Sequence, residues 1–269
     1  MPRHPSLPSW GNAEAGTPHA NIVLLTGVDR LALDAVAFSL ADSRPSVRVA
    51  TYDVTHDPDS PNGLSLARTI YEPGDDSNLL GGDATIFPMD DCCLTCACKH
   101  DLVRVMNAAP EWSGTMLAVL PVGIEGTAVA QYLADSSMLG DLRCAVDTIH
   151  VATAVGMDGF ESRLFDDDRL VIAGTADDDT VLDARSTGVV QARLIRESAH
   201  VLKLPTLAAD GAGLDGAVLS SGRDREETER LSAIVAALAD PAATIHADAH
   251  CTDLHALIGD VCTPPRVRV

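Results

Sequence analysis

Asn21-Ile-Val-Leu-Leu-Thr26 with Gly27, and after three intervening residues Leu31-Ala-Leu-Asp-Ala-Val-Ala-Phe-Ser-Leu40, decide the fold. An almost unbroken apolar run that stops at a glycine suits a strand buried on both faces, as in a parallel sheet. The second stretch repeats apolar residues at helical spacing, so the pair predicts a strand, a turn and a helix. The same alternation continues outward. Val47 to Tyr52, Thr115 to Pro121, Cys144 to Ile149, His200 to Leu204 and the short Ala243 to His246 read as strands. Leu102 to Ala109, Thr127 to Leu133 and Glu226 to Leu238 read as helices, the last acidic in its first turn as the helix dipole prefers. Asp53 to Gly63 and Gly74 to Asp83 read as loops. This order predicts an α/β fold with a mostly parallel, doubly wound sheet. Residues 1 to 20, with prolines at 2, 5, 8 and 18, read as a flexible tail ahead of one domain spanning 21 to 269.

The 269 residues carry 19 basic and 39 acidic side chains, a net charge of −20, with Lys99 and Lys203 the two lysines. Such a field repels phosphate backbones and anionic lipid, which argues against direct nucleic-acid or membrane binding. Hydrophobic residues at 46% and a mean hydropathy of +0.11 exclude a disordered chain. Aromatics at 3% leave too few rings for a base-stacking platform. No apolar run approaches the roughly 18 residues of a membrane span, and the first residues lack a signal-peptide core. With seven cysteines, this points to a reducing cytoplasm.

The cysteines concentrate in Asp91-Cys92-Cys93-Leu94-Thr95-Cys96-Ala97-Cys98-Lys99-His100-Asp101-Leu102, read as a loop. Cys93 and Cys96 have the spacing at which two thiolates reach one tetrahedral zinc at about 2.3 Å. Lys99 favours the thiolate form. Adjacent Cys92 and Cys93 do not easily aim at one ion, so the candidate ligand set is two or three of Cys92, Cys93, Cys96 and Cys98, completed by His100 or an outside ligand. Zinc is the expected ion, with copper(I) second. A redox pair, or thiols that are merely buried, are the alternatives. His246, His250, Cys251 and His255 make a second histidine-rich patch whose spacing matches no zinc template closely; His246 is read as ending a strand, and Cys251 and His255 as partly buried helix residues. His150 is read as a satisfied strand-end histidine, Cys144 and Cys262 as small hydrophobes. Asp166 to Asp168 and Asp177 to Asp179 are read as solvated loops. Neither a catalytic triad nor a paired-carboxylate signature is visible.

The order of these segments resembles the CobW family of P-loop GTPases, associated with metal insertion and zinc homeostasis. Aligned on Asp101-Leu102, Cys93 and Cys96 match the outer cysteines of the family's G-C-x-C-C fingerprint, Thr95 stands where the middle one belongs, and Lys99 fills the basic position. Gly123-Ile-Glu-Gly-Thr-Ala-Val-Ala-Gln131, Ser198-Ala-His-Val-Leu202 and Asp240-Pro-Ala-Ala-Thr-Ile245 resemble later family blocks, and the match covers residues 21 to 247. The resemblance implies a three-layer P-loop NTPase-like domain, zinc, GTP with magnesium, and a protein client. The departures fall on the nucleotide site. In Gly27-Val-Asp-Arg30-Leu-Ala-Leu33-Asp34, Leu33 replaces the phosphate-binding lysine and Asp34 the magnesium-binding hydroxyl, leaving Gly27 and Arg30 as remnants. Leu120 replaces the acid after the third strand, and Leu204-Pro-Thr-Leu207 replaces the guanine reader. The chain also stops about where the family's C-terminal domain begins. The pattern is similar to the divergent actinobacterial branch linked to zinc starvation and ribosome hibernation. The resulting expectation is a zinc-responsive adaptor or chaperone with a basic protein partner, to which the resemblance adds ribosome association. It is not an efficient enzyme, GTP hydrolysis being the one activity the resemblance allows. An active GTP-binding metallochaperone and a thiol redox protein are the alternatives.

Overall fold

The structure, a computed structural model, describes residues 18–43, 47–60, 63–71, 84–89, 93–109, 112–174, 180–205, 222–259 and 267–268. In chain order the elements are β1 (His19–Thr26), α1 (Arg30–Asp42), β2 (Val47–His56), β3 (Leu64–Tyr71), β4 (Thr85–Pro88), α2 (Leu94–Ala108), β5 (Gly114–Val119), α3 (Gly126–Leu139), β6 (Ala145–Gly156), α4 (Phe160–Leu164), β7 (Arg169–Ala173), β8 (Val181–Ser186), α5 (Thr187–Glu197), β9 (His200–Leu204), α6 (Gly222–Leu238), β10 (Thr244–His246), a 3-10 turn (Ala249–Cys251), α7 (Leu254–Ile258) and β11 (Val267–Arg268). Residues 1–17 of the expected tail, Cys92, Gly74 to Asp83, Asp177 to Asp179, Thr206 to Leu207 and Cys262 lie outside the described residues.

β1 sits between β5 and β6, parallel to both, and the parallel strands run in the order β2, β5, β1, β6, β9, β10. Numbered among themselves along the chain, that is 2-3-1-4-5-6. β3 and β4 extend the β2 edge antiparallel, and β11 pairs with β6 at Ile149 and His150. The apolar run of β1 is buried because its pleat feeds two cores at once. Ile22 and Leu24 pack with Met116, Ala118 and Leu120 beneath Leu102 and Val105 of α2 and Val129 and Leu133 of α3. Val23 and Leu25 pack on the other face with Leu117 and Val119 beneath Leu33, Val36 and Leu40 of α1 and Leu254 and Leu257 of α7. A third cluster joins Phe160, Ile195, Leu231 and Val235 to Val155 and Val201. Helices on both faces of a mostly parallel sheet make a three-layer α/β fold.

Several expected boundaries change. The cysteine segment is not a loop: α2 begins at Leu94, so Cys96, Cys98 and His100 are helical. β1 starts at His19, inside the expected tail. Cys251 and His255 do not share one helix face, because Thr252 and Asp253 separate the 3-10 turn from α7. β3, the β7–β8 hairpin and α5 have no counterpart in the sequence reading.

Candidate functional site

In open α/β sheets, ligands bind beyond the carboxyl ends of the strands, where helix N-termini offer free N–H groups. Among the helices that begin there are α1, α2 and α3. β4 runs in the same direction as β2, through two antiparallel pairings, so α2 starts at the same edge as α1 and α3.

At the start of α1 the anion position is filled from within the chain. Asp29 is the N-cap, and its Oδ1 accepts from the Leu31 amide at 3.0 Å and the Ala32 amide at 3.3 Å. Its Oδ2 lies 3.4 Å from Arg163 Nη1. Leu33 points inward and is fully buried, so close to Gly27 that a Cβ there would lie 3.0 Å from Leu33 Cγ and 3.3 Å from the Ala154 carbonyl. Gly27 is therefore needed for packing, and it borders no cradle. Arg30 turns its guanidinium to Asp34 at 3.1 Å and Asp53 at 3.4 Å.

The start of α3 is closed in the same manner. Glu197, at the end of α5, accepts from the Gly126 amide at 2.9 Å and the Thr127 hydroxyl at 2.7 Å. Burial raises the Glu197 pKa, a shift that the Thr127 hydrogen bond opposes. Glu125 beside it pairs with Arg185 and Arg193, each at 2.6 Å, and Arg185 also holds Asp183 at 2.7 Å and donates to the Gly123 carbonyl at 2.9 Å. A triphosphate entering here meets the carboxylates of Asp29 and Glu197 and the side chain of Leu33. These residues do not fit GTP with magnesium.

The start of α2 is different. Cys93 is the N-cap residue, extended and exposed, with no side-chain hydrogen bond to the helix amides. Cys96 lies half-buried in the first turn. Sulfur is a soft donor, the kind a soft cation takes. Cys98 does not: it is fully buried among Leu102, Met106 and Tyr52, and desolvation, with Asp101 second, drives its pKa far above the ordinary thiol value. As a metal ligand, Cys98 is set aside because its sulfur faces the core as a neutral thiol. His100 packs edge-on against Tyr132 at 5.2 Å, while Lys99 lies 4.7 Å over the same ring. Among the described residues, the one set of three or more ligand atoms within 4.8 Å of one another is Asp166, Asp167 and Asp168, so Cys93, Cys96 and His100 do not converge as a trio.

Beneath α2 lies a clamp with no local sequence signal. Asp101 is buried and accepts from Arg68 at 2.8 Å and from the Tyr52 hydroxyl at 3.0 Å. Burial, then the Asp101 charge, raises the Tyr52 pKa well above its usual value. Of the second patch, His250 contacts Ser39 at 3.2 Å and Cys251 is exposed, donating to Asp248 at 3.5 Å, so it is not the partly buried helix residue expected. His255 is exposed on α7, and His246 instead meets His200, which in turn meets His150. Cys144 is buried, as a small hydrophobe should be. No helix among the described residues is long and apolar enough to cross a membrane. No family model, curated protein or solved structure matches the chain.

Proposed function

We propose that the protein is a zinc-responsive adaptor or chaperone on a CobW-like, P-loop-type scaffold that has given up its nucleotide. The observation that carries this reading is the contrast among three helix starts at one sheet edge: α1 and α3 begin on carboxylates supplied by the chain, α2 begins on an exposed thiol. A carboxylate on the helix amides competes with phosphate. A pair of thiols in the same electrostatic position binds a soft cation instead. Cys93 and Cys96 hold the ion, and water, Cys92 or a partner's side chain completes the shell. An incomplete protein shell suits a site that exchanges metal or reports its level. The charge of −20 favours a basic protein partner in the cytoplasm, and ribosome association is what the family resemblance adds.

Native mass spectrometry of the purified chain tests the proposal. One zinc per chain, lost in Cys93→Ser or Cys96→Ser, supports it. A metal-free chain that takes up no added zinc overturns it. Titration with GTP at low salt separates the active-GTPase reading, which requires affinity in roughly the micromolar range or better. One observation favours a second reading, a thiol redox pair: Cys93 caps α2 and Cys96 lies in its first turn, so a Cys-x-x-Cys pair stands at one helix start. A reversible Cys93–Cys96 disulfide formed without metal is its signature.

A further inference from the structure

α1 buries one face and leaves an apolar stripe on the other. Ala32, Leu33, Val36, Ala37 and Leu40 turn inward, as an amphipathic helix on a sheet requires. The outer side of such a helix is ordinarily polar, yet Leu31 is 81% exposed and Phe38 67% exposed. Seven residues apart, they lie on one face, separated by about 10 Å along the helix axis. Ala35, one turn from each, is half-buried and small, so a notch opens between two large knobs. Asp34 borders the stripe and Asp42 continues it beyond Phe38, and both are exposed.

The surroundings carry one sign of charge. At the N-terminal end Arg30 lies 3.1 Å from Asp34 and 3.4 Å from Asp53, so its charge is already engaged. Arg163, behind the N-cap, is held by Asp29. At the other end the 3-10 turn and α7 lie alongside: His250 Nδ1 is 3.2 Å from the Ser39 hydroxyl, and the Leu254 amide donates to the Ser43 hydroxyl at 3.0 Å. Those contacts bring Asp248 and Asp253, which cap the turn and α7, beside the last turns of α1. An apolar stripe among carboxylates, on a chain of net charge −20, repels a second copy of itself and attracts a cationic surface.

We infer that the Leu31–Phe38 face of α1 is the docking site for a basic amphipathic helix of a protein partner. An apolar side chain of that helix enters the notch at Ala35, and lysine or arginine beside it meets Asp34, Asp42 and Asp53. A helix suits this face better than an extended segment. Strand side chains alternate sides at about 3.3 Å per residue, so two of them about 10 Å apart point to opposite sides. The inference rests on the basic partner of the proposed function and gives that partner a surface. It does not involve the thiols, since α1 and α2 pack on opposite faces of the sheet.

The test uses the full chain and two probes: a leucine–lysine peptide patterned as an amphipathic helix, and a leucine–glutamate peptide of the same pattern. Amide chemical shifts in a titration at low salt should move on α1 and the 3-10 turn with the basic peptide and stay still with the acidic one. Leu31→Ser with Phe38→Ser removes two side chains that stand in solvent, and should weaken binding by about tenfold or more. Asp42→Lys should weaken the basic peptide and admit the acidic one. Shifts scattered over the acidic surface, equal binding of both peptides, no binding, or binding unchanged in these variants overturns the proposal. So does a dimer in sedimentation that the Ser variants dissolve, which makes the occupant a second copy, and so do proton contacts in the free chain from the Phe38 ring to residues 1–17, which make it the chain itself. Zinc uptake should be the same in parent and variants, so failure of the metal reading and failure of this surface are seen separately.

Discussion

α1 and α2 start at the same edge of the same sheet, and they treat the same electrostatic opportunity in opposite ways. Every helix N-terminus presents amides without intrahelical partners, together with the positive end of a dipole. At α1 those amides are taken by Asp29, and the space beyond by Leu33. At α2 the N-cap side chain is Cys93, which makes no capping bond and stays exposed. One end has been converted to packing. The other keeps the Cys93 thiol at the surface, on a helix held from below by the Asp101 clamp. A site on this sheet is defined less by where helices begin than by whether the chain's own side chains have claimed their amides.

The sharpest way to break that comparison is to remove the clamp under α2. Asp101→Ala leaves the mostly buried Arg68 without its carboxylate and should cost about 3 to 5 kcal/mol, measured by urea denaturation. A cost below about 1 kcal/mol would mean that α2 is not anchored there. Next in size is Leu33→Ala, which empties a fully buried position against Gly27 and should cost about 2 to 5 kcal/mol. This variant is expected to bind no GTP, since Asp29 still occupies the amides. Gain of nucleotide binding would show that Leu33 alone closes the pocket. Asp29→Ala is smaller, about 0.5 to 2 kcal/mol for a lost cap, read as a drop in thermal midpoint. The smallest effect is expected for Glu197→Gln, under about 1 kcal/mol near neutrality, because the amide oxygen still accepts from Gly126. Its signature is the pH dependence. A carboxyl whose folded pKa is raised gives stability that is full below its unfolded value and is lost as pH rises through the folded one. The parent should therefore lose stability across the window starting near 4.5, and the variant should not.

The β1–turn–α1 unit was legible because its signal is local: a continuous apolar run in a strand buried on both faces, then a helical period. α6 was legible for the same reason, through the helical run of Glu226 to Leu238, although the helix begins a turn earlier, at Gly222. The start of α2 was not, because cysteine and threonine have low helical propensity and ligand spacing looks the same in a loop and in a helix. α5 begins Thr187-Gly188-Val189-Val190, a poor helical opening, and is fixed by contact: a Cβ at Gly188 would lie 2.2 Å from the Leu164 carbonyl oxygen. The cysteines were read as one cluster, yet the helix turned Cys98 into the core and left Cys93 exposed. Glu197 as the cap of α3 was beyond reach, since 71 residues separate it from Gly126.

From the chain alone came the alternating order of strands and helices, the unusual acidity and the crowding of sulfur before Asp101, all properties of neighbours along the backbone. Folding decided which sulfurs face water, which carboxylates sit on helix amides, and that three histidines touch. Those are facts of closure, in which strands far apart in sequence are brought within about 5 Å by hydrogen bonding, and no window along the chain contains them.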